Sequence, residues 1–387
     1  MTDAPLPVPP GHHDRPLGDT ARPPGPGAMG AVAEGPTVTT YPMSFTGQAG
    51  EYFRIWIVNT ALTIVTLGLY LPWARVRQRQ YVYGHTWLDG HNFEYTANPV
   101  ALLRGYLIVG AFFLTASLTR SFESTAWIAG VIGLLFFALY PWLVMKSLRF
   151  LAVSTAHRGL RFRHHGRAGG AYLAYGLSNL AAVLSGGLAL PWAWFMQRRY
   201  QVGNAAYGSA RATFRGDVGR FYVIGLTGVA LGIGGAVLLG IGGVLLAALL
   251  GGAADDLWNG PVSAVTLTLI AALYVAFLGL YAVVWQYVRA ATMRYVLNSV
   301  EVGGVVRTGA TFSPWMVVWI GVSNTAAQLL TLGLATPWAT VRRNRYILGG
   351  VQVRAIAPLD DFAASPTPGE NALGEAATEL LDINLGF

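Results

Sequence analysis

The sequence has 387 residues, of which 53% are hydrophobic and only 11% are charged. Soluble domains usually carry about 25% charged residues, so this composition excludes an ordinary soluble domain and indicates a membrane protein. Cysteine is absent, which excludes disulfides, thiolate metal ligands and cysteine nucleophiles. The net charge of +8 is unevenly distributed, because residues 52–346 carry 23 basic and 7 acidic side chains while both ends of the chain are acidic.

The composition predicts a membrane domain between two tails. Residues 1–44 are rich in Pro and Gly and have no apolar core behind a basic start, which is typical of a disordered tail and not of a signal peptide. Residues 358–387 form an acidic C-terminal tail. The membrane domain, 45–357, is predicted to contain three repeats, at about 45–146, 147–290 and 291–357.

Seven stretches of the membrane domain contain no charged residue. A charge at the centre of a bilayer costs several kcal/mol, so these stretches are the candidate membrane segments. The fifth carries Gly228, Gly232, Ala236 and Gly240 on one helical face, which favours close packing of a neighbouring helix. The seven stretches are 55–74, 105–119, 124–145, 168–197, 221–254, 257–288 and 308–341.

One motif occurs three times with fixed spacing. In each copy an Asn lies upstream, a Gly precedes a Pro-Trp pair by four residues, and a Tyr follows the Trp by eight, with arginines between. If each motif segment is called A and the two segments that follow it B and C, the chain reads A-B-C-A-B-C-A. The motif residues are Asn59, Pro72 and Trp73, then Asn179, Pro191 and Trp192, then Asn324, Pro337 and Trp338; the arginines are Arg75, Arg77, Arg79, Arg198, Arg199, Arg342, Arg343 and Arg345.

These motifs resemble the bacterial inner-membrane YjgN family, which is defined by a domain of unknown function. The resemblance is carried by FTGQAGEYF at 45–53, by TLGLYLPWA at 66–74 and by the later ALPWAWFMQRRY and TLGLATPWATVRRNRY. It implies an inner-membrane location and supplies no catalytic residue. The second copy differs from the others, because it has one residue fewer between its Asn and its Pro.

The basic residues predict which segments cross the membrane. They are frequent in every loop except those between B and C, so the positive-inside rule is satisfied if B and C are spanning hairpins and each A segment enters and leaves on the cytoplasmic face. Gly and Pro in the motif break a helix and allow such a bend. We therefore predict a mainly α, polytopic helical membrane protein with four crossings, three re-entrant or strongly kinked A segments, and cytoplasmic tails. Seven full crossings are the alternative.

Five short stretches beside the A segments alternate with a period of two and are flanked by Gly. Such alternation is typical of short strands and predicts a small cytoplasmic β layer, with chance alternation in polar loops as the alternative. The stretches are 91–97, 159–165, 210–216, 303–309 and 350–356.

The sequence contains no recognisable catalytic or metal-binding pattern. His164 and His165 have no carboxylate near them in sequence, and all seven histidines lie in predicted tails or loops, which disfavours a proton relay through the membrane. We therefore expect no enzymatic activity, no metal and no cofactor.

The motif residues are the candidate site. The asparagines either hold helices together or contact a solute, and the arginines attract anionic head groups. We predict transport or channel-like passage of a small uncharged or anionic solute, with a lipid-binding or membrane-organising protein as the alternative. Anionic membrane lipids are the expected partners and nucleic acid is not; a homo-oligomer stays open.

Overall fold

The computed structural model describes residues 38–120, 126–250 and 263–356. Within these residues, pairs of short strands alternate with pairs of helices along the chain. The ten strands are β1 (Thr39–Phe45), β2 (Thr86–Leu88), β3 (His91–Tyr95), β4 (Thr155–His157), β5 (Leu160–His164), β6 (Ala205–Tyr207), β7 (Ala210–Phe214), β8 (Val300–Val302), β9 (Val306–Ala310) and β10 (Val351–Ala355).

The strands form a closed antiparallel barrel in which each strand pairs with its neighbours in the sequence. β1 closes the barrel, because it pairs with β2 through Met43 and Leu88 and with β10 through Tyr41 and Val353. The prediction of a mainly α protein is therefore wrong. A closed barrel satisfies the hydrogen-bonding groups of every strand edge, so strands of only three to seven residues persist in it.

Five of the ten strands coincide with the five alternating stretches of the sequence: β3, β5, β7 and β10 fall within them, and β9 extends one residue beyond its stretch. Four others have three residues each, which is too short to show a period of two. β1 begins at Thr39, inside the region that composition assigns to the N-terminal tail, and it contains Pro42. The remainder of both predicted tails lies outside the described residues.

The two rims of the barrel differ. At one rim, tight turns join β2 to β3, β4 to β5, β6 to β7 and β8 to β9. Positive φ angles at Asp89 and Gly90 and at Arg158 and Gly159 allow the first two of these turns to reverse the chain within two residues. At the opposite rim, every connection between neighbouring strands is a pair of helices. All helices described here therefore leave and return at the same rim.

The barrel interior is filled by side chains. Leu88 on β2 packs in one cluster with Val306 on β9 and with Val353 and Ala355 on β10. On the other side, aromatic rings contact one another between neighbouring strands: the ring centroids of Phe93 and His157 are 4.5 Å apart, and those of Phe162 and Tyr207 are 4.9 Å apart. The interior is thus a packed core.

The helices form two long pairs and three short hairpins. The long pairs are α3 (Pro99–Arg120) with α4 (Ala126–Val153), and α8 (Val218–Leu250) with α9 (Ala264–Leu297). The first and third short hairpins are α1 (Ala49–Val65) with α2 (Leu71–Gly84), and α10 (Pro314–Leu330) with α11 (Thr336–Gly349). In the second, the first arm is α5 (Ala168–Ala171), a π-helical turn (Tyr172–Leu177) and α6 (Ser178–Leu184), and the second arm is α7 (Leu190–Gly203).

Consecutive helices pack against each other, and α11 also packs against α1, so the helices form a closed ring next to the barrel. Val341 on α11 joins Phe45, Tyr52 and Tyr81 in one buried cluster, which fixes the closure of the ring to the end of β1. The ring therefore follows the same order as the strands.

Four helices among the described residues are long and apolar enough to cross a membrane: Pro99–Thr119, Trp127–Val153, Val218–Leu249 and Ala264–Leu297. They lie in the predicted B and C segments. The arms of the first and third hairpins have 17 and 14 residues, which correspond to about 25 and 21 Å at 1.5 Å per residue. These lengths are shorter than the roughly 30 Å hydrocarbon core of a bilayer.

Glycines on α8 allow α9 to approach closely. A Cβ atom placed on Gly228, Gly235 or Gly243 would lie 2.6, 2.4 or 2.9 Å from side-chain atoms of Val288, Leu280 and Leu273, respectively. Of the row predicted from sequence, Gly228 lies in this contact, whereas a Cβ on Gly232 or Gly240 would meet nothing within 4 Å. The glycines that contact α9 are therefore seven to eight residues apart, and not four residues apart as predicted.

Candidate functional site

The bend of each short hairpin is built in the same way. At residues 66–70, 185–189 and 331–335, which we call the tips, the backbone passes through positive φ, with φ of 92° at Gly68, 94° at Gly187 and 90° at Gly333. The N–H of each of these glycines donates to a carbonyl five residues earlier, at 2.7 to 2.8 Å, which ends the first arm. A Pro then occupies the second position of the second arm, in the first turn of a helix, where its missing N–H removes no intrahelical hydrogen bond.

A hydroxyl group completes each bend. The side chains of Thr66, Ser185 and Thr331 accept a hydrogen bond from the backbone N–H four residues later, at 3.0, 2.9 and 3.0 Å. The predicted break of the A segments at Gly and Pro therefore corresponds to a defined turn of five residues.

The tips present apolar side chains that contact little of the protein. Leu67 and Leu332 are each 95% exposed, and Leu188 is 79% exposed. The tip segments contain no charged residue. Exposed apolar surface of this kind indicates an interaction surface for protein or membrane.

Two of the three predicted asparagines hold the arms of a hairpin together. Asn59 and Asn324 are both buried, and their Nδ2 atoms donate to the carbonyl oxygens of Ala74 and Ala339, at 3.4 and 3.0 Å. The Oδ1 atom of Asn324 also accepts from Arg342, at 3.0 Å. Each of the two Asn–Ala hydrogen bonds therefore joins the first arm of a hairpin to its second arm, at the equivalent position.

Asn179 does not occupy the equivalent position. Counting back thirteen residues from Pro191 reaches Ser178, just as the same count from the other two prolines reaches Asn59 and Asn324. Ser178 is fully buried and donates to the carbonyl of Ala174, whereas Asn179 accepts from Gln197 at 2.8 Å. The second copy therefore has one residue fewer between Asn and Pro because the residue equivalent to Asn59 and Asn324 is Ser178 and not Asn179. Alignment of the three copies on the Pro identifies this position.

Replacing Asn324 with Ala is expected to destabilise the third hairpin by about 1–2 kcal/mol, because it removes the bond to Ala339 and leaves one contact of Arg342 unmade. Asn179→Ala is the matched control, with an expected loss below about 1 kcal/mol, because this side chain is less buried. Unfolding in mixed micelles measures both. Equal losses would contradict the role assigned to Asn324.

Most of the predicted arginines contact other parts of the protein. The guanidinium of Arg75 lies 5.4 Å from the ring centroid of Tyr106, and Arg342 lies 5.1 Å from that of Trp338. Four of these arginines donate hydrogen bonds: Arg79 to the hydroxyl of Tyr95 at 2.7 Å, Arg198 to Oε1 of Gln201 at 2.7 Å, Arg342 to Ser323 at 2.7 Å, and Arg345 to the carbonyl of Gly47 at 3.0 Å. Arg77, Arg199 and Arg343 have no hydrogen-bond or ion-pair partner among the described residues.

The three predicted tryptophans lie at the start of the second arms. Trp73 stacks on Tyr70 with ring centroids 6.0 Å apart, Trp192 is half-buried, and Trp338 is 44% exposed. All three lie just after the apolar tips, at the start of the arms that carry the arginines. This position suits amphipathic rings at the boundary between an apolar layer and a polar one.

The family model described as "Bacterial protein of unknown function (DUF898)" matches residues 40–380. The chain belongs to the DUF898 family. The chain is 35% identical over 118 residues to the inner membrane protein YjgN of Salmonella typhimurium, a match that covers 30% of each chain. It is 31% identical over 134 residues to the proteins of the same name from Escherichia coli O157:H7 and K12, which covers 35% of this chain and 33% of each relative.

The match therefore spans about a third of the length of these curated relatives. No solved structure matches the chain. The sequence-based resemblance is confirmed. Together with the four apolar helices, the names of the relatives support an inner-membrane location.

Two histidines of this DUF898 chain that were expected in loops lie on strands inside the barrel. Burial lowers the pKa of His157 on β4, and burial together with the nearby charge of Arg149 lowers the pKa of His164 on β5 to about 4. Nδ1 of His164 accepts from the backbone N–H of Gly166 at 3.3 Å, and its ring packs against Tyr200. The lowered pKa favours the neutral form of both histidines, and both side chains are buried.

Proposed function

We propose that this protein is a multi-pass inner-membrane protein whose three short hairpins insert into the cytoplasmic leaflet and bind anionic lipids there. The observation that carries the proposal is that each hairpin has an exposed apolar tip, while both of its arms connect to the same rim of the barrel. A hairpin of this shape enters an apolar layer and returns to the side from which it came.

Charge supports the orientation. The described residues include 24 Lys or Arg and 5 Asp or Glu, and the basic residues on the helices lie mainly toward the barrel. Because basic residues favour the cytoplasmic side, this distribution favours a cytoplasmic barrel, cytoplasmic chain ends and four crossings made by the two long pairs. The recurrence of one bend in three hairpins supports an internal repeat.

The distance from each apolar tip to an arginine of its second arm matches the thickness of one leaflet. Arg77, Arg199 and Arg343 lie six, nine and seven residues after the start of their arms, or about 9 to 14 Å from the tips. Half of the hydrocarbon core of a bilayer is roughly 15 Å thick. When the tips lie among the acyl chains, these arginines therefore lie near the lipid head groups. Each basic residue near an anionic leaflet contributes about 1 kcal/mol.

The absence of cysteine allows a direct test of tip insertion. We expect a fluorophore attached through Leu188→Cys to be quenched by brominated lipids and to be protected from a water-soluble thiol reagent, because the tip lies among acyl chains. The matched control is Arg161→Cys on the exposed outer face of the barrel, where the label is expected to react and to stay unquenched. A Leu188→Cys label that reacts freely with the reagent would overturn the proposal.

Passage of a small uncharged or anionic solute is a second candidate. One observation favours it: Oδ1 of the buried Asn59 has no hydrogen-bond partner among the described residues, and such an atom suits a polar solute. The cluster of Leu88, Val306, Val353 and Ala355 packed inside the barrel disfavours a route through the barrel. A flux assay in liposomes separates the two candidates, because lipid binding alone predicts no solute flux.

A further inference from the structure

Three exposed arginines lie on one side of the outer face of the barrel, next to the rim where tight turns join the strands, which we call the turn rim. Arg211 and Arg307 are the second residues of β7 and β9, just after two of these turns, and Arg354 is the last residue but one of β10. Successive residues of a strand point to opposite faces of the sheet. Because Val306 and Val353 pack in the barrel core, Arg307 and Arg354 point outward.

Strand pairing places the three arginines in one patch. Arg354 lies directly opposite Arg307. Arg307 lies opposite Glu301, which lies opposite Thr213. Arg211 is two residues from Thr213 on β7, so it shares the outer face and lies about 7 Å nearer the turn rim. The basic patch, Arg211, Arg307 and Arg354, therefore extends over the four neighbouring strands β7 to β10.

The one carboxylate within this patch is already paired through both of its oxygen atoms. Oε1 of Glu301 accepts a hydrogen bond from Arg215 at 2.8 Å, and Oε2 accepts one from Arg307 at 3.0 Å. The side chains of Arg211 and Arg354 have no hydrogen-bond or ion-pair partner among the described residues. Like charges directly opposite each other destabilise a sheet, and Arg354 faces Arg307 in this way. The basic patch therefore favours carboxylates that come from another segment.

The chain leaves the barrel beside the basic patch. The backbone N–H of Ile356 donates to the carbonyl of Val305 in the turn between β8 and β9, at 3.1 Å, which holds the chain next to β9 at the turn rim. Ile356 ends the described residues and is 42% exposed. Residues 357–387 contain six Asp or Glu and no Lys or Arg. This acidic segment is therefore complementary in charge to the patch beside which it begins.

The carboxylates of the acidic segment can reach the basic patch. Asp360 follows Ile356 by four residues, which span at most about 14 Å. Arg354 lies two residues before Ile356, or about 7 Å along the strand. Glu370 follows Asp360 by ten residues and extends this reach across all four strands. A short connection of this kind raises the effective concentration of a segment to about the millimolar range, so ion pairs that are individually weak suffice.

We propose that the acidic segment 357–387 docks on the outer face of the barrel, where its carboxylates pair with Arg211, Arg307 and Arg354. Arg161 on β5 lies two strands beyond the basic patch and stays accessible. The proposal is independent of leaflet insertion, because the basic patch lies at the rim opposite the helices.

Limited digestion of the full-length protein in nanodiscs with a glutamate-specific protease tests the proposal, because a docked segment is protected. At low ionic strength, Arg211→Gln with Arg354→Gln is expected to raise the cleavage rate about fivefold, as for the loss of two exposed ion pairs. Mass spectrometry of the fragments measures the rate within the segment, where the cleaved bonds follow Glu370, Glu375 and Glu379.

The matched control is Arg167→Gln with Arg220→Gln. It removes the same charge from two exposed arginines at the rim where the helices begin, and its cleavage rate is expected to equal that of the unsubstituted protein. Cleavage after Glu94 on β3 reports unfolding of the barrel, so a folded variant is cut in the segment and not there.

A distance measurement leaves every arginine in place. Spin labels attached through Ser209→Cys in the turn between β6 and β7 and through Thr367→Cys in the acidic segment are expected to give one narrow distance distribution at low ionic strength. Raising the salt to about 0.5 M is expected to broaden this distribution, because salt screens exposed charges.

Equal cleavage of the Arg211→Gln, Arg354→Gln variant and the unsubstituted protein would overturn the proposal, and so would a faster cleavage of the control variant to the same extent. Protection that increases with protein concentration would also overturn it, since the patch would then bind the acidic segment of a second copy. If the arginine variant unfolds, the spin labels decide: a broad distribution at low ionic strength contradicts docking.

Discussion

Lowering the pH from 7 to 4 is expected to destabilise the protein by up to about 3 kcal/mol through His164 alone. The pKa of this side chain is about 4 in the folded protein and 6.5 when unperturbed, so the unfolded chain takes up the proton first. The contribution of His164 to stability is therefore complete above pH 6.5 and is lost as the pH falls toward 4. His157, whose pKa is also lowered, acts in the same direction.

Unfolding in mixed micelles at a series of pH values measures this effect. The matched variant is His164→Asn, because Oδ1 of Asn can accept the hydrogen bond from Gly166 while the side chain does not titrate. Its stability is expected to depend less on pH between 6.5 and 4. The same pH dependence in both proteins would contradict a buried, neutral His164.

Replacing Leu88 with Ala is expected to destabilise the barrel by about 2–5 kcal/mol. Leu88 is 8% exposed and packs against residues of β9 and β10 in the barrel core. Removing its branched end leaves a cavity that these short strands fill poorly, so the lost burial and the cavity both contribute.

Leu188→Ala is the control, since the same atoms are removed at a tip where the side chain is 79% exposed. We expect its stability in micelles to change by less than about 0.5 kcal/mol. Chemical unfolding followed by tryptophan fluorescence compares the two variants. Similar losses in both would show that the barrel interior is not a packed core.

The four long apolar helices and the bends of the A segments could be predicted because each has a local signal. Long uncharged runs mark the helices, and Gly followed by Pro-Trp marks the bends. The β stretch 91–97 could also be predicted, because five residues of alternation are enough to reveal a strand.

The barrel could not be predicted, because its closure depends on contacts between distant residues. β2, with three residues, has no period of its own, and β1 contains Pro42 at the end of a Pro-rich region. Pro42 lies opposite Gln352 on β10, and the pairing of β1 with β2 begins only at Met43, so no β2 residue pairs with Pro42. No local pattern reveals these pairings.

The pairing of β1 with β10 sets the order in which the chain is assembled. Thr39 pairs with Ala355, so β1 obtains its second neighbour only after all the helices between β1 and β10 in the described residues have been synthesised. During that interval β1 keeps an open hydrogen-bonding edge, and such an edge is exposed to wrong strand pairing. A chain that stops before β10 leaves the edges of β1 and β9 open together, so premature termination in this protein is expected to produce a species prone to aggregation.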